Sequence, residues 1–375
     1  MINTRLWSLI LAVATVTLFT TCEQIVPDER LIQQGPDEEN MMMLGITTKP
    51  ANKFNNYFNR FGNGWTGGDA TYSVKLPDGR TVWMFGDSFL DTVYADYTRP
   101  TTSPLIRNCF MVQTGSNFTT LCGNIIDDPE ALVNTGDPAN EWYWPGDGTV
   151  VGDTLYVFMM YFERTGPLAF DFAYVRTDLV TFSLPSITEV NRTTLFTDTD
   201  IMWGADVMED GGYIYVYGAE TYTFTKYGHV CRYPAGNMRG TREWWNGTSW
   251  VLTEPASTVG RMKRPSGLNV DVSPQFAVFF HGGKYRLVTQ EVLFGNEIYS
   301  WEATSPTGPW TTKQTVYTTP ETGGDIWTYN AWIHTQFTTA TGYLLMSYNK
   351  NSLNFLDLFE DATIYRPEFI YYKYL

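Results

Sequence analysis

Apolar residues along this chain fall in short alternating runs rather than at helical spacing. Tyr72, Val74 and Leu76 alternate with Thr71, Ser73 and Lys75, and Pro77-Asp78-Gly79 then turns the chain into Val82-Trp83-Met84-Phe85. Alternation of period two before a Gly-containing turn predicts a β-hairpin. The phrase returns four more times, ending in the runs 155–158, 213–217, 285–288 and 343–346. Its openers are Asp69, Asp147, Asp206, Gln275 and His334, spaced 59 to 78 residues apart, enough for four strands and their loops. Hairpin repeats of that length stack as blades around a channel. The expectation is all-β: a five-bladed β-propeller forming a single domain over residues 51–375. Helical patterning is nearly absent, with room for one turn at 128–133. The C-terminal run 367–375 reads as a strand that closes the ring by pairing with residues 56–61.

In such a ring the innermost strands start at one mouth of the channel. Asp69, Asp147 and Asp206, distant in sequence, are therefore expected to meet there. The second strand of each hairpin returns to the same mouth, where Asp87, Glu163, Glu220 and Glu291 form an outer acidic set. Trp65, Trp144 and Trp203 stand three or four residues before the inner Asp residues. An indole beside a carboxylate suits a sugar ring, whose C–H face stacks while its hydroxyls hydrogen-bond. The same Trp residues also suit packing between blades. Arg264 and His334 bring titratable or positive groups to predicted loop mouths, His334 as the fifth opener.

The ends and the composition narrow the setting. Arg5 precedes an apolar run, Leu6 to Phe19, and Cys22 follows. That is the length of a signal h-region and short for a membrane span. Residues 1–22 read as a lipoprotein signal peptide with Cys22 as the lipid-bearing residue; simple secretion is the alternative. Residues 23–50 are acidic and aperiodic, a disordered tether. The chain is expected to be exported and lipid-anchored to a bacterial outer membrane or cell surface, or else periplasmic or secreted. It would meet membrane only through that anchor. A net charge of −15 argues against a nucleic-acid partner. Phe, Trp and Tyr make up 16% of the chain, which suits both strands and sugar faces. Cys109 and Cys122 bracket a predicted strand pair, so a disulfide is open. Three His residues without a close pair give no metal site. No cofactor is expected, and nothing in the pattern supports calcium in the acidic channel.

The stretch Gly67-Gly68-Asp69-Ala70-Thr71-Tyr72, with Leu76-Pro77-Asp78-Gly79-Arg80 and Trp83-Met84-Phe85-Gly86-Asp87-Ser88, resembles the first blade of a family of exported bacterial five-bladed propellers related to glycoside hydrolases. Some members of that family are known only as domains of unknown function. Val230–Met238, Trp244-Trp245-Asn246-Gly247 and Ala303–Trp310 resemble its later blades. Relatives of this fold include arabinanases, fructanases and D-arabinan hydrolases. The resemblance implies three acids at inner strand starts, serving as base, acid and pKa-tuning helper, with Asp69 matching the base. It implies a blade-4 Glu as the acid, where this chain has Gln275 or Ser273. The acid comes from elsewhere or is absent.

Glycoside hydrolysis needs one protonated and one ionised carboxyl across the scissile bond. Asp69, Asp147, Asp206 and Glu220 are the candidate catalytic residues, with Asp206 or Glu220 as the acid. Trp65, Asp87, Trp144, Trp203, Arg264, Glu291 and His334 are the candidates for substrate binding. For Asp147 and Asp206 the plain alternative is turn capping. Two functions stay open: a polysaccharide or oligosaccharide hydrolase, and a non-catalytic glycan-binding surface lipoprotein.

Overall fold

A computed structural model describes residues 45–375 except 125–127, 198–199, 223–224 and 293–294. Nearly all regular structure in it is antiparallel strand. Five sheets follow one another along the chain. The first orders Tyr72–Lys75, Thr81–Phe85, Cys109–Thr114 and Asn117–Leu121 from inside to outside. The second and third start at Glu141–Val151 and Ile201–Asp210, the fourth and fifth at Phe276–His281 and Ile326–His334. A small three-stranded sheet, Trp65–Gly68, Ser88–Leu90 and Leu105–Ile106, sits beside the first. Each inner strand packs on the next in order, and Ile326–His334 packs back on Tyr72–Lys75. This arrangement is propeller-like.

The inner strands are largely buried on both faces because both faces meet neighbouring sheets. The largest apolar cluster joins Tyr72, Leu155, Val157, Val288, Ile333 and Met346 from four sheets. Outer strands alternate or turn polar. Thr188–Phe196, at the edge of the second sheet, carries exposed Glu189 and half-buried Arg192, which pair at 2.9 Å. Charge on an edge strand discourages pairing with a second chain.

The chain closes on itself differently from expectation. Pro367–Tyr374 pairs with Ile46–Pro50, and Asn52–Phe58 is a helix. Phe54 and Phe58, four residues apart, bury one face of that helix against Trp83 and Phe369. That i, i+4 spacing is the helical signal within this segment. Ordered structure therefore begins inside the stretch expected as tether. Residues 128–133 make no helix; Asn108 holds that loop by accepting from the Val133 N–H at 2.9 Å. Cys109 and Cys122 are free thiols. The expected signal peptide, Cys22 and most of the tether lie outside the described residues.

Candidate active site

Two acids meet at the end of the first hairpin. The Asp69 N–H donates to the Asp87 carbonyl (3.3 Å) and the Gly86 N–H donates to the Asp69 carbonyl (3.1 Å), so the backbone lays the two residues side by side. A Cβ at Gly86 would fall 2.5 Å from Asp69 Oδ1, so any larger residue there would displace that carboxyl. Ala70 and Thr71, directly after Asp69, both take positive φ, 68° and 59°. Such backbone is costly for residues with a Cβ and persists only where surroundings impose it. Here Gln275 Nε2 donates to the Ala70 carbonyl (2.6 Å), and Asn349 Nδ2 donates to the Gly68 carbonyl (3.2 Å) and Thr71 Oγ1 (3.0 Å). The fourth and fifth sheets thus grip the turn that carries Asp69.

Both carboxyls are half-buried and differently partnered. Tyr329 Oη donates to Asp69 Oδ2 at 2.8 Å. Burial and the neighbouring Asp87 carboxylate push Asp69 up to about 7, against the hydroxyls of Tyr329 and Tyr365. Asp87 accepts from Trp144 Nε1 at 2.7 Å and from Arg107 Nη1 at 3.0 Å. Burial raises its carboxyl too, while Arg107 and the indole oppose that rise. Two adjacent carboxyls of this kind hold one proton between them most readily. Aromatic surface frames the pair: half-buried Trp144 packs on Phe162 (4.6 Å), and Trp327 stacks on Tyr329 (4.2 Å).

Asp147 and Asp206 also come together, but away from this pair. Each sits at a bulge within its long inner strand. Asp147 Oδ2 accepts from the Val207 N–H (2.9 Å) and Asp206 Oδ2 from the Val278 N–H (3.1 Å), so each side chain ties its sheet to the next. Both are buried. Burial pushes Asp147 up to about 8; burial and the Asp147 charge push Asp206 well above the carboxylate range. They line a channel cavity of about 430 Å³ that runs toward Lys75, Glu209 and Phe280 and does not include Asp69 or Asp87.

Other candidates fall into structural positions. Arg261 makes a bidentate pair with Glu220 (2.6 and 2.7 Å), and His229 adds a contact at 2.8 Å. Burial alone would raise Glu220, but these partners outweigh it and hold the carboxyl at about 2. Such a group is anionic near neutral pH and a poor proton donor. His334 ends its strand rather than opening it, and it is fully buried. It bridges Ser73 (2.6 Å) and Ser347 (2.9 Å), and burial drops its pKa to about 3. Trp65 packs in the core on Phe58 and Phe85, and Trp203 stacks on Phe196, so neither offers a face to a sugar. Arg264 pairs with Asp271 at 3.0 Å and lies over Trp301, while Glu291 is exposed.

Tyr329, Tyr365 and Arg107 were missed in the sequence. The bulge between Tyr329 and Trp332 repeats that between Trp203 and Asp206, so the fifth opener lies here and not at His334. Tyr365 comes from a short helical turn in the loop after Leu344–Ser352, where no periodic pattern marks it. Among the described residues no group of three His, Cys, Asp or Glu could hold a metal ion. Nor is any described helix long and apolar enough to cross a membrane.

The geometry can be set beside known proteins. Residues 51–373 match the family described as a domain of unknown function, DUF5005. The chain belongs to that family. No curated protein matches it. A solved structure from Bacteroides ovatus ATCC 8483, described as a candidate hydrolase, superposes with a TM-score of 0.77 at 23% identity, covering 87% of this chain and 90% of that one. The fold is therefore shared with that protein. A GH43_1 enzyme from Xanthomonas citri complexed with xylose superposes at 0.48 with 13% identity, over 86% of this chain and 89% of its own. A protein of unknown function from Dyadobacter fermentans DSM 18053 also reaches 0.48, at 10% identity, over 84% and 96%. Those two superpose too loosely to bear on function.

Proposed function

We propose that this DUF5005 chain is a glycoside hydrolase whose five sheets are the blades of one five-bladed propeller, and that it cleaves an oligosaccharide or polysaccharide at the Asp69–Asp87 pair. The observation that carries the reading is that pair itself. Two half-buried carboxyls share one site, one raised to about 7 and the other tied to Arg107 and Trp144. Acid–base cleavage of a glycosidic bond uses two carboxyls in different protonation states, provided that they flank the scissile bond. In this reading Asp69 carries the exchangeable proton and Asp87 the negative charge, a change from Asp69 as the base. Tyr329 and Tyr365 position Asp69, and half-buried Trp144 packs against a sugar ring. Asp147 and Asp206 hold the inner strands together, and Glu220 braces the third sheet.

The pH dependence tests this assignment. With Asp69 as the proton donor, kcat/KM falls as pH rises through about 7. That alkaline limb disappears in Asp69→Asn, along with about 10²–10⁴-fold of the rate. An unchanged limb in that variant refutes the role.

A glycan-binding protein without catalysis is the second reading. What favours it is that Asp147, Asp206 and Glu220 are all engaged in internal bonding, and that the fourth-blade acid implied by the family resemblance falls on Gln275 or Ser273. Export with a lipid anchor at Cys22 belongs to both readings and rests on Leu6–Phe19 and the Cys that follows.

A further inference from the structure

We propose a second carbohydrate-binding site, a groove on the outer flank of the first sheet that takes a neutral oligosaccharide. It rests on the reading that the ligands of this protein are glycans, and it stands apart from the Asp69–Asp87 site. The groove encloses about 830 Å³ between the helix Asn52–Phe58, the 60–63 loop, the edge strand Asn117–Leu121 and the Asp91–Thr92 turn. That is the upper part of the ~300–1,000 Å³ range of small-molecule sites, enough for more than one sugar ring.

Its lining has the chemistry of a sugar site. Tyr57 and Phe118 meet edge to face at 5.4 Å, and Phe61 is 41% exposed against Tyr97. Phe61, the most exposed of these rings, accepts the C–H side of a pyranose or furanose, while Lys53 and Arg60 lie over Tyr57 and Phe118 at 5.6 and 5.8 Å. Asn56 and Asn63 are exposed, and their side-chain amides have no partner among the described residues. An amide offers both a donor and an acceptor, the complement of a hydroxyl. Charge is sparse. Arg60 spends Nε on the Trp65 carbonyl (3.3 Å), and Asp91 is the one acid in the lining. A polyanion or polycation would find no matching field, whereas a neutral glycan needs none.

The groove is also firmly built. Arg366 donates to Asn59 Oδ1 (2.6 Å), to the Arg60 carbonyl and to the Thr66 carbonyl (2.9 Å). The wall is thus anchored to the strand Trp65–Gly68, which leads into Asp69. A glycan held here would keep a polymer close to the mouth without entering it.

Affinity gels cast with xylan, arabinan, galactan or laminarin test this, with the Asp69→Asn protein as background so that cleavage cannot erase binding. Retardation is expected in at least one gel. The double variant Asn56→Ala/Phe61→Ala, at an unchanged melting temperature, should weaken it by about tenfold, the scale of one lost stacking and amide contact. Trp144→Ala, which weakens binding at the mouth, should leave the groove-dependent part of the retardation in place. No retardation in any gel overturns the proposal, as does retardation lost on Trp144→Ala but kept in the double variant. If the hydrolase reading alone is wrong, groove-dependent retardation persists while no polysaccharide is cleaved.

Discussion

Replacing Asp147 by Asn separates a structural carboxyl from a catalytic one by its pH signature. In the fold Asp147 is buried, bonds the Val207 N–H through Oδ2, and has no partner for Oδ1. Its pKa is raised from 3.8 to about 8, chiefly by burial. Between those values the unfolded chain has lost the proton and the folded chain keeps it, so stability falls as pH rises from about 4 to about 8 and levels off above. Each tenfold difference in proton affinity is worth about 1.4 kcal/mol, so the full span costs the fold up to about 6 kcal/mol at pH 8. Asn mimics the protonated acid: its carbonyl still accepts from Val207, and it cannot ionise. Thermal melts of wild type and Asp147→Asn should coincide near pH 4 and diverge steadily to pH 8 in favour of the variant. At about 2 °C per kcal/mol for a large domain, the gap reaches up to about 12 °C. Asp206, raised in part by the Asp147 charge, moves the same way. A gap that does not change with pH, or one that favours wild type at pH 8, refutes the neutral, strand-tying carboxyl.

Other residues give independent checks. His334 is held neutral at about 3, below its unfolded 6.5, so wild-type stability should fall as pH drops from 6.5 toward 3, and His334→Gln should show a shallower fall in acid melts. Glu220→Gln leaves Arg261 buried without its carboxylate and should cost about 3–5 kcal/mol in urea unfolding at pH 7; a neutral result would remove the brace from the account. Trp65→Ala should destabilise by about 3–5 kcal/mol because the indole is fully buried, whereas Trp144→Ala should cost far less stability and lower affinity for a glycan. Equal melting temperatures for those two variants would contradict their assigned places. Cys22→Ala should abolish lipid labelling in cells, and unchanged labelling would refute the anchor.

The fold was largely legible because period-two runs and Gly turns are local signals. The first hairpin, Tyr72–Lys75 with Thr81–Phe85, lies where alternation places it. The closure was not legible, since Ile46–Pro50 is a short, partly exposed strand that pairs with a segment more than 300 residues away. The site was half legible. Asp69 and Asp87 were both singled out, but pairing them requires knowing that a return strand brings Asp87 beside the turn before Tyr72. Asp147 and Asp206 shared the strand-opening pattern of Asp69, yet their bulges turn the carboxyls toward the next strand's backbone. Sequence spacing does not distinguish a residue before a strand from one inside it. Trp65, Trp144 and Trp203 illustrate the same limit: three similar contexts yield two core indoles and one that reaches Asp87.

The central claim is cleavage at the Asp69–Asp87 pair, and product analysis tests it most directly. Purified wild type, Asp69→Asn and Asp87→Asn are each incubated with xylan, arabinan, galactan, laminarin and fructan, and released sugars are resolved by chromatography. The account predicts new oligosaccharides or monosaccharides from at least one polymer with wild type, and a loss of about 10²-fold or more in both variants. No product from any polymer with wild type, or full product from either variant, would contradict it.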